Sequence, residues 1–265
     1  MKNIFVMLPC YNEEKDIEPL VRRWISLDDD IMSKGYECVV FCIDDKSTDG
    51  TNSVIRCLSD EFLGKVYLLE HEMNKGLGGA LSTGFNYFNE HGQVGDVCVL
   101  MDGDNTHDPK YTLDMLPYIE QGYDCVIASR YKNTSKTIGV PAHRQFLSDC
   151  ARIVYTLLLG IKNVKDYTCG YRAYSFSIIE KAINAYGKNM VERRSFACMM
   201  ETLYKLSLIE GKFFEIPFEL QYSNKRGESK MRVIKTIRES LATAFQLRLS
   251  LKRRMKSQYA RRVTE

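Results

Sequence analysis

The sequence predicts an α/β fold with a mostly parallel sheet that helices cover on both faces. Short runs rich in apolar and β-branched residues alternate with amphipathic helical segments through the first half. Two of these runs, Phe5-Val6-Met7-Leu8 and Val97-Cys98-Val99-Leu100, are continuously apolar, which suits strands buried on both faces of a sheet. Alternation of strands and helices implies right-handed βαβ units, and therefore parallel strands.

The first half of the chain predicts five strands separated by four helices. The strands are Asn3–Pro9, Glu37–Ile43, Lys65–His71, Asp96–Asp102 and Asp124–Ser129. The helices are Glu13–Ser33, Asp49–Phe62, Gly76–Glu90 and Pro109–Gln121. No repeat or low-complexity linker interrupts the pattern, so we expect one domain rather than two.

The second half is mostly helical. Its helical patterns cover Arg144–Leu159, Ser177–Tyr186 and Phe196–Ile209, and a strand-like stretch follows at Phe213–Tyr222. A last helix is indicated by apolar residues that step by three or four and form one stripe, namely Ile234, Ile237, Leu241, Phe245 and Leu249. We therefore divide the chain into a domain of residues 1–229 and a basic amphipathic helix and tail of residues 230–265.

Composition excludes several classes of protein. With 265 residues, of which 45% are hydrophobic and 27% charged, the chain can bury an ordinary core. No apolar run approaches the roughly 20 residues that cross a bilayer, and the N-terminus lacks the pattern of a signal peptide. Nine cysteines without a CxxC pair indicate reduced, buried thiols and a cytoplasmic protein.

Charge is distributed unevenly along the chain. Residues 230–265 hold eleven Lys/Arg and two Glu, an excess of nine, so within a net charge of +3 the first 229 residues carry −6. A basic arm on an acidic globule suggests an anionic partner, although a solvated helix face followed by a frayed tail fits equally well. Few aromatic residues interleave the charges, which argues against nucleic acid.

Polar clusters follow four of the predicted strands. In doubly wound sheets, ligands bind outside the carboxyl ends of the strands, so these clusters are the candidate site. They are Pro9-Cys10-Tyr11-Asn12-Glu13, Asp44-Asp45-Lys46-Ser47-Thr48-Asp49, Asp102-Gly103-Asp104 and Ser129-Arg130-Tyr131.

Asp102-Gly103-Asp104, an Asp-x-Asp motif, is the most informative of these clusters. Two carboxylates this close repel each other unless a cation lies nearby. Hard divalent cations bind carboxylate oxygens and keep positions open for substrate phosphates. The motif therefore suits a metal ion that holds a diphosphate, whereas an acidic surface turn is the alternative.

The cluster from Asp44 to Asp49 has two interpretations. Ser47 or Thr48 would cap the following helix with Asp49 in its first turn, or the carboxylates of Asp44 and Asp45 would accept hydrogen bonds from a nucleobase or ribose. Capping needs only one of these residues and leaves the paired aspartates unexplained.

Gly76-Leu77-Gly78-Gly79 is glycine-rich but a poor phosphate loop. It lacks the Gly-Lys-Ser/Thr of a P-loop, and it follows the third strand, whereas a dinucleotide fingerprint lies in the first βα turn. Close packing of the helix explains Gly78 and Gly79. The four histidines lie in unrelated contexts and form no Ser/His/Asp arrangement, and His107 is expected only to brace the loop after the Asp-x-Asp motif.

Several ordered motifs resemble the family 2 glycosyltransferases of GT-A fold, a single Rossmann-like α/β/α sandwich. In the first half they are Leu8-Pro9-Cys10-Tyr11-Asn12-Glu13-Glu14, Asp44-Asp45-x-Ser47-x-Asp49-Gly50-Thr51, Asn74-Lys75-Gly76 with Ala80 and Gly84, and Met101-Asp102-Gly103-Asp104. In the second half, others resemble the dolichyl- or polyprenyl-phosphate sugar transferases. These are Ser129-Arg130-Tyr131, Asp166-Tyr167-Thr168-Cys169-Gly170-Tyr171-Arg172, Glu215-Ile216-Pro217 and Arg226-Gly227-Glu228-Ser229-Lys230-Met231.

The resemblance implies a role for individual residues. A nucleotide-sugar site would comprise Pro9, Tyr11, Asn12, Glu13, Asp44, Asp45, Met101, Asp102, Gly103 and Arg226. Asp102 and Asp104 would hold Mg²⁺ or Mn²⁺, and Asp104, Arg130 and Lys230 would act at the reacting phosphates. Two positions depart from the family pattern: Thr106 stands where some members have a glutamine that ligates the metal, and Asn224 where some mannosyltransferases have an arginine.

The implied reaction is inverting transfer of a hexosyl group, from GDP-mannose or a UDP-sugar, to a polyprenyl or dolichyl phosphate. Arg144 would add positive charge near the phosphates. An ionised lipid phosphate needs no general base, whereas a sugar hydroxyl would need one. The candidate bases are Asp166, which could instead shape the acceptor pocket, and Glu201, which equally fits a polar position on an exposed helix face.

The basic C-terminal helix would then lie on anionic lipid at the cytoplasmic face of a membrane, or else pack in a homo-oligomer. Transfer to a saccharide hydroxyl and non-catalytic binding of a nucleotide sugar are the rival functions. A nucleotidyltransferase is a weaker alternative, since the first loop lacks glycine.

Overall fold

The computed structural model describes residues 1–139, 142–221 and 238–249. In the first half, the strands are β1 (Lys2–Cys10), β2 (Tyr36–Asp44), β3 (Val66–Glu70), β4 (Val97–Leu100) and β5 (Cys125–Ser129). The helices between them are α1 (Ile17–Ser26), α2 (Asp28–Ser33), α3 (Thr51–Glu61), α4 (Gly76–His91) and α5 (Tyr111–Glu120).

The second half adds shorter strands to the same framework. Its strands are β6 (Lys136–Ile138), β7 (Arg172–Ser175), β8 (Phe213–Pro217) and β9 (Glu219–Gln221). Its helices are α6 (Ala142–Leu159), α7 (Phe176–Tyr186) and α8 (Ala197–Leu208), followed by helical residues 238–249.

The described strands form a seven-stranded sheet in the order β3-β2-β1-β4-β7-β5-β8, with a separate parallel pair of β6 and β9. Every neighbouring pair in the large sheet is parallel except those that involve β7, which runs antiparallel to β4 and to β5. The expected α/β architecture with a mostly parallel sheet is confirmed.

Several elements differ from the sequence prediction. Strand β6 is not predicted, and the strand expected over Phe213–Tyr222 divides into β8 and β9, which lie in different sheets. The helix expected over Glu13–Ser33 begins at Ile17 and breaks at Leu27, whose N–H bonds the carbonyl of Trp24 at 3.1 Å. Three aspartates, 28–30, fill the first turn of α2, where negative charge favours a new helix start. Strand β7 is not predicted because its four residues carry no alternation long enough to detect.

Close packing of α4 on the sheet fixes the carboxyl end of β1. A Cβ atom added to Gly84 would lie 1.8 Å from Met7 Sδ, so a larger residue at 84 would force the Met7 side chain to move. All nine cysteines are free thiols, as expected, although Cys57 and Cys150 are exposed rather than buried.

The 238–249 helix packs through a face of small residues and through Leu241, whereas the end of its apolar stripe stays exposed. Ser240, Thr243 and Ala244 are buried, whereas Phe245 and Leu249 are 57% and 45% exposed. The other end of the predicted stripe, Ile234 and Ile237, lies outside the described residues. The proposed boundary at residue 229 lies there as well and stays a prediction.

Candidate active site

The carboxyl ends of β1, β2, β4 and β5 point to one edge of the sheet, because β7 reverses direction between β4 and β5. All four polar clusters follow these strand ends. The first and second clusters are tied together: the carbonyl of Cys10 accepts the N–H of Asp45 at 2.9 Å, and the hydroxyl of Ser47 accepts the N–H of Asn12 at 2.9 Å.

Asn12 and Glu13 hold the first loop against the start of α3. Asn12 has a φ of 57°, and its Oδ1 accepts the N–H of Thr48 at 2.7 Å. The N–H of Glu13 donates to Thr51 Oγ1 at 2.8 Å. Asp49, rather than Ser47 or Thr48, meets the first turn of α3, where its Oδ1 accepts the N–H of Thr51 at 3.0 Å. The expected capping contact is therefore made by Asp49 and not by Ser47 or Thr48. In the first loop, Tyr11 is 40% exposed at the rim.

Asp44 and Asp45 are buried and hydrogen-bonded within the protein. Asp44 accepts the N–H of Ser47 at 3.1 Å and Asn52 Nδ2 at 3.0 Å. Asp45 Oδ1 lies 2.8 Å from His71 Nδ1 and accepts the N–H of Lys75 at 2.7 Å. These contacts hold the two carboxylates in place at the end of β2, and contact of either one with a nucleoside stays a prediction.

The glycine segment, residues 76–79, is built for packing. The N–H of Gly76 donates to Asp45 Oδ2 at 2.8 Å, and the N–H of Gly78 donates to the carbonyl of Arg194 at 3.2 Å. A Cβ atom at Gly78 would lie 1.8 Å from the carbonyl oxygen of Arg193. The start of α4 is thus covered by protein, which agrees with the packing interpretation and not with a phosphate loop.

The Asp-x-Asp motif lies between the first loop and the turn before β7. A Cβ atom at Gly103 would lie 2.9 Å from the carbonyl oxygen of Pro9, and one at Gly170 would lie 2.6 Å from Asp102 Oδ1. Met101 is buried and donates its N–H to the carbonyl of Met7 at 3.1 Å. Glycine at 103 and 170 therefore lets three backbone segments meet around Asp102.

The donor atoms present fit a divalent cation. In the described part of the chain no cluster of three or more His, Cys, Asp or Glu side chains could hold a metal by itself. Two carboxylates suit Mg²⁺ or Mn²⁺, which bind through one or two carboxylates and complete their shell with water and substrate phosphate. Asp102 and Asp104 are the side chains that would hold it.

Thr106 orients Asp104. Its hydroxyl donates to Asp104 Oδ1 at 2.7 Å, so the residue that replaces the family's glutamine acts on a carboxylate of the motif. We expect Thr106→Val to weaken the binding of Mn²⁺ in the presence of a nucleoside diphosphate by about tenfold, because partners of metal ligands typically contribute 10–100-fold. Titration with Mn²⁺ followed by electron paramagnetic resonance measures this.

Thr156→Val is the matched control for this prediction, because the Thr156 hydroxyl donates to a carbonyl of its own helix, that of Arg152, at 2.9 Å and contacts no carboxylate of the motif. Equal Mn²⁺ affinity in wild type and Thr106→Val would contradict the role given to Thr106.

His107 braces the loop that follows the motif. Its ring stacks on Phe218 with centroids 5.4 Å apart and meets Tyr171 edge-on at 5.6 Å. Burial lowers the pKa of His107 to about 4, so the imidazole is neutral at physiological pH. Arg23 supports the same loop through Asn105 Oδ1 at 3.0 Å.

Arg130 is fixed by Asp166. Its Nε donates to Asp166 Oδ2 at 2.8 Å and its Nη2 to Asp166 Oδ1 at 2.7 Å, while Nη2 also reaches Thr168 Oγ1 at 2.7 Å. Burial by itself would raise the pKa of the Asp166 carboxyl, but the charge and hydrogen bonds of Arg130 outweigh burial and lower it. The Arg130 side chain stays 23% exposed, so a rigidly held guanidinium faces the rim of the candidate site.

Glu215 supports this pair from β8, a role that the sequence did not indicate although its motif was noted. Glu215 Oε1 accepts the N–H groups of Lys165 at 2.8 Å and Asp166 at 2.7 Å. Burial raises the pKa of Glu215. The available signal was a charged residue in the middle of an apolar strand, β8, which lies parallel to β5.

Glu201 does not lie on an exposed helix face, so that alternative is wrong. It is 1% exposed, and its Oε2 accepts the N–H groups of Glu192 at 3.0 Å and Arg193 at 2.9 Å. Its Oε1 accepts Lys205 Nζ at 2.8 Å. Like Asp166, it is buried and fully engaged by protein donors, so neither carboxylate is placed as a base that meets an acceptor hydroxyl.

Three predicted residues lie beyond what the structure describes. Arg226 and Lys230 fall outside the described residues, and for Arg144 only the backbone is described, in the first turn of α6. Their predicted roles stay predictions.

The described residues therefore form an α/β sheet with an acidic pair and the guanidinium of Arg130 held at its carboxyl edge. The chain belongs to glycosyl transferase family 2, whose model matches residues 5–183. It is therefore a glycosyltransferase, as the motifs indicated.

Relatives with assigned functions are similar over most of the chain. A dolichol-phosphate mannosyltransferase of Pyrococcus furiosus is 32% identical over 92% of this chain, which spans 63% of that protein's length. An undecaprenyl-phosphate mannosyltransferase of Micrococcus luteus is 29% identical, and the match covers 86% of this chain and 87% of that protein's length. A UDP-N-acetylglucosamine–dolichyl-phosphate N-acetylglucosaminyltransferase of Methanococcus voltae is 29% identical over 87% and 91%, respectively.

Solved structures share the fold. A glucosyl-3-phosphoglycerate synthase from Mycobacterium tuberculosis, crystallised with Mn²⁺, UDP and glucosyl-3-phosphoglycerate, superposes with a TM-score of 0.63 at 18% identity. The superposition covers 93% of this chain and 80% of that one. The expected GT-A fold is thus confirmed.

Proposed function

We propose that this glycosyltransferase moves a hexosyl group, with inversion, from a nucleotide-diphosphate sugar to a polyprenyl or dolichyl phosphate, with Mg²⁺ or Mn²⁺ as cofactor. One observation carries the proposal: the Asp-x-Asp motif and the Arg130–Asp166 pair lie at the same edge of the sheet. A site that binds an anion on each side of the transferred sugar, the donor diphosphate and the acceptor phosphate, needs such an arrangement. Relatives named for lipid-phosphate acceptors support it.

The residues of this chain bind and orient the donor. Asp102 and Asp104 would hold the cation, which when bound neutralises charge that grows on the departing diphosphate. Arg130 stays charged because the facing carboxylate of Asp166 outweighs burial and raises its pKa. Its guanidinium is fixed before substrate arrives, which lowers the reorganisation needed to stabilise phosphate charge.

A phosphate acceptor suits a site in which both candidate bases, as far as the chain is described, are already engaged. Lipid phosphate is ionised near pH 7 and attacks directly, whereas a hydroxyl needs a carboxylate to remove its proton. Asp166 and Glu201 are both engaged by backbone and side-chain donors. This occupancy favours the lipid phosphate over a saccharide acceptor.

The test is product analysis. Purified protein is incubated with radiolabelled GDP-mannose, UDP-glucose or UDP-N-acetylglucosamine and Mn²⁺, with either polyprenyl phosphate or an oligosaccharide as acceptor. We expect label in the lipid fraction with one of the donors. Label in the oligosaccharide would instead support the hydroxyl-acceptor function, and binding without transfer would support a non-catalytic protein.

We further propose that the protein meets its lipid at a membrane surface. No helix in the described ranges is long and apolar enough to cross a bilayer. Ile153 and Leu157, on one face of α6, are 52% and 75% exposed, as are Phe245 and Leu249 on the 238–249 helix at 57% and 45%. Amphipathic helices of this kind bind the interface of a bilayer.

We expect Leu157→Ser with Phe245→Ser to reduce binding to vesicles of anionic lipid by at least tenfold, because each side chain loses an apolar contact of about 1–3 kcal/mol. Co-sedimentation measures the bound fraction. Leu63→Ser, at a side chain that is 81% exposed in the loop between α3 and β3, is the control. Unchanged binding, or loss of a dimer in analytical ultracentrifugation, would favour an oligomer interface.

A further inference from the structure

Residues 189–194, which we call the bridge segment, connect α7 to α8 and lie against the start of α4. Arg194 makes this contact. Its Nη2 donates to the carbonyl of Asn74 at 2.7 Å and its Nε to the carbonyl of Lys75 at 3.1 Å. Its own carbonyl accepts the N–H of Gly78. The second half of the chain therefore holds a loop of the first half through three hydrogen bonds.

The loop held by Arg194 is the one that surrounds Asp45. Asn74 Nδ2 donates to the backbone carbonyl of Asp45 at 3.0 Å. The N–H groups of Lys75 and Gly76 donate to the two carboxylate oxygens of Asp45. A shift of this loop would therefore move the aspartate that the motif assigns to the nucleoside.

A buried ion pair holds the bridge segment from the other side. Lys205 Nζ lies 2.8 Å from Glu201 Oε1 and 2.7 Å from Glu192 Oε2, and it donates to the carbonyl of Asn189. Glu201 also accepts the two N–H groups at 192 and 193. Glu201 and Lys205 are 1% and 8% exposed. The desolvation cost of burying these charges is offset only if this segment keeps a precise geometry.

We infer that Arg194 is a positioning residue for the nucleotide end of the donor site, and that the Glu201–Lys205 pair holds Arg194 in place. This inference rests on the proposed function for the identity of the ligand. It explains the glycine segment, because a side chain at 76 or 78 would collide with the backbone of Arg193 and Arg194. The ligand is a nucleoside diphosphate whose nucleoside lies beside Asp45.

Adjacent arginines provide the test. Arg194→Met removes the donors to Asn74 and Lys75, whereas Arg193→Met is the control, because the Arg193 side chain bonds Gln246 instead. Both side chains are partly exposed, so both variants should fold. We expect Arg194→Met alone to speed amide exchange at Lys75 and Gly76 by about tenfold. We expect it also to weaken binding of UDP or GDP with Mn²⁺ roughly tenfold by calorimetry, with kcat at saturating donor unchanged.

Glu201→Gln tests the buried Glu201–Lys205 pair by the same two measurements, amide exchange and nucleotide binding. Its control is Glu18→Gln, which breaks the exposed i,i+4 pair with Arg22. Exchange that rises at Lys75 and Gly76 more than at core amides of β1 supports the inference. A uniform rise across the sheet, or unchanged exchange in Arg194→Met, overturns it.

The amide measurement needs no nucleotide. If the wild type binds neither UDP nor GDP, the proposed function and the assigned ligand fail, while exchange at Lys75 and Gly76 still decides whether Arg194 holds the loop. If both nucleotides bind the Arg194→Met variant as tightly as the wild type, the positioning role is overturned although the proposed function stands.

Discussion

Asp104→Asn should reduce transfer of the sugar to polyprenyl phosphate by about a thousandfold. The substitution keeps the shape of the side chain and removes the negative charge that would bind the divalent cation. Charge stabilisation by such a cation contributes several kcal/mol, and each 1.36 kcal/mol corresponds to a factor of ten in rate. Initial rates at saturating donor, measured over a range of Mn²⁺ concentrations, give the comparison.

Asp108→Asn is the control for Asp104→Asn. It lies four residues further along the same loop, where it pairs with Arg23 at 3.0 Å and with Lys110 at 3.3 Å. We expect it to keep most of the activity. If Asp104→Asn retained wild-type rates without any change in its dependence on Mn²⁺, the assignment of the motif to the cation would be wrong.

Asp166→Asn should lower both the stability of the fold and the rate of transfer. Asparagine leaves the partly buried guanidinium of Arg130 without its counter-charge and offers an amide where Arg130 needs an acceptor. Breaking a buried ion pair at one partner costs roughly 3–5 kcal/mol. Thermal unfolding with and without a bound nucleotide, together with transfer rates, measures the two effects.

The same variant separates two roles for Asp166. A general base would lose activity on substitution while stability stayed near that of the wild type. An anchor for Arg130 would lose both, and Arg130→Lys, which keeps the charge but not the bidentate geometry, would lose part of the activity. Asp149→Asn is the control, since Asp149 is on the surface of α6 and only reaches Arg152 at 4.0 Å.

The pH dependence of stability gives an independent check on this pair. Arg130 lowers the pKa of Asp166 below its ordinary value of 3.8. The pair therefore stabilises the fold in full above that pH, and its contribution is lost as the pH falls through the folded-state pKa. Asp166→Asn lacks this titration, so the difference in free energy of unfolding between variant and wild type should narrow below pH 4.

Much of the framework could be predicted because buried parallel strands have a strong signature. The strands ending at Cys10, Asp44 and Leu100 are mostly apolar and are followed by polar residues. Both the fold and the edge of the sheet that carries the candidate site could therefore be predicted. Strand β7 could not be predicted, because its place between β4 and β5 depends on a long-range pairing, that of Leu100 with Arg172.

The roles of buried acids were harder to predict. Glu201, Asp166 and Glu215 are all compatible with exposed or catalytic positions in the sequence. Glu215 accepts N–H groups from a loop that is distant in the chain, at 165–166. Glu201 accepts those at 192–193, and Asp166 those of the turn that follows it, at 168–169. Hydrogen bonds between segments without regular periodicity leave no pattern in a single sequence.

Strand β8 extends the folding unit past the end of the family match. The match stops at residue 183, yet β8 at 213–217 forms the outer edge next to β5 and supplies Glu215. A fragment cut after residue 183 would bare the unpaired edge of β5 and invite edge-to-edge aggregation. The smallest fragment expected to fold without aggregation therefore extends through residue 217. The family match thus ends within the folding unit rather than at its boundary.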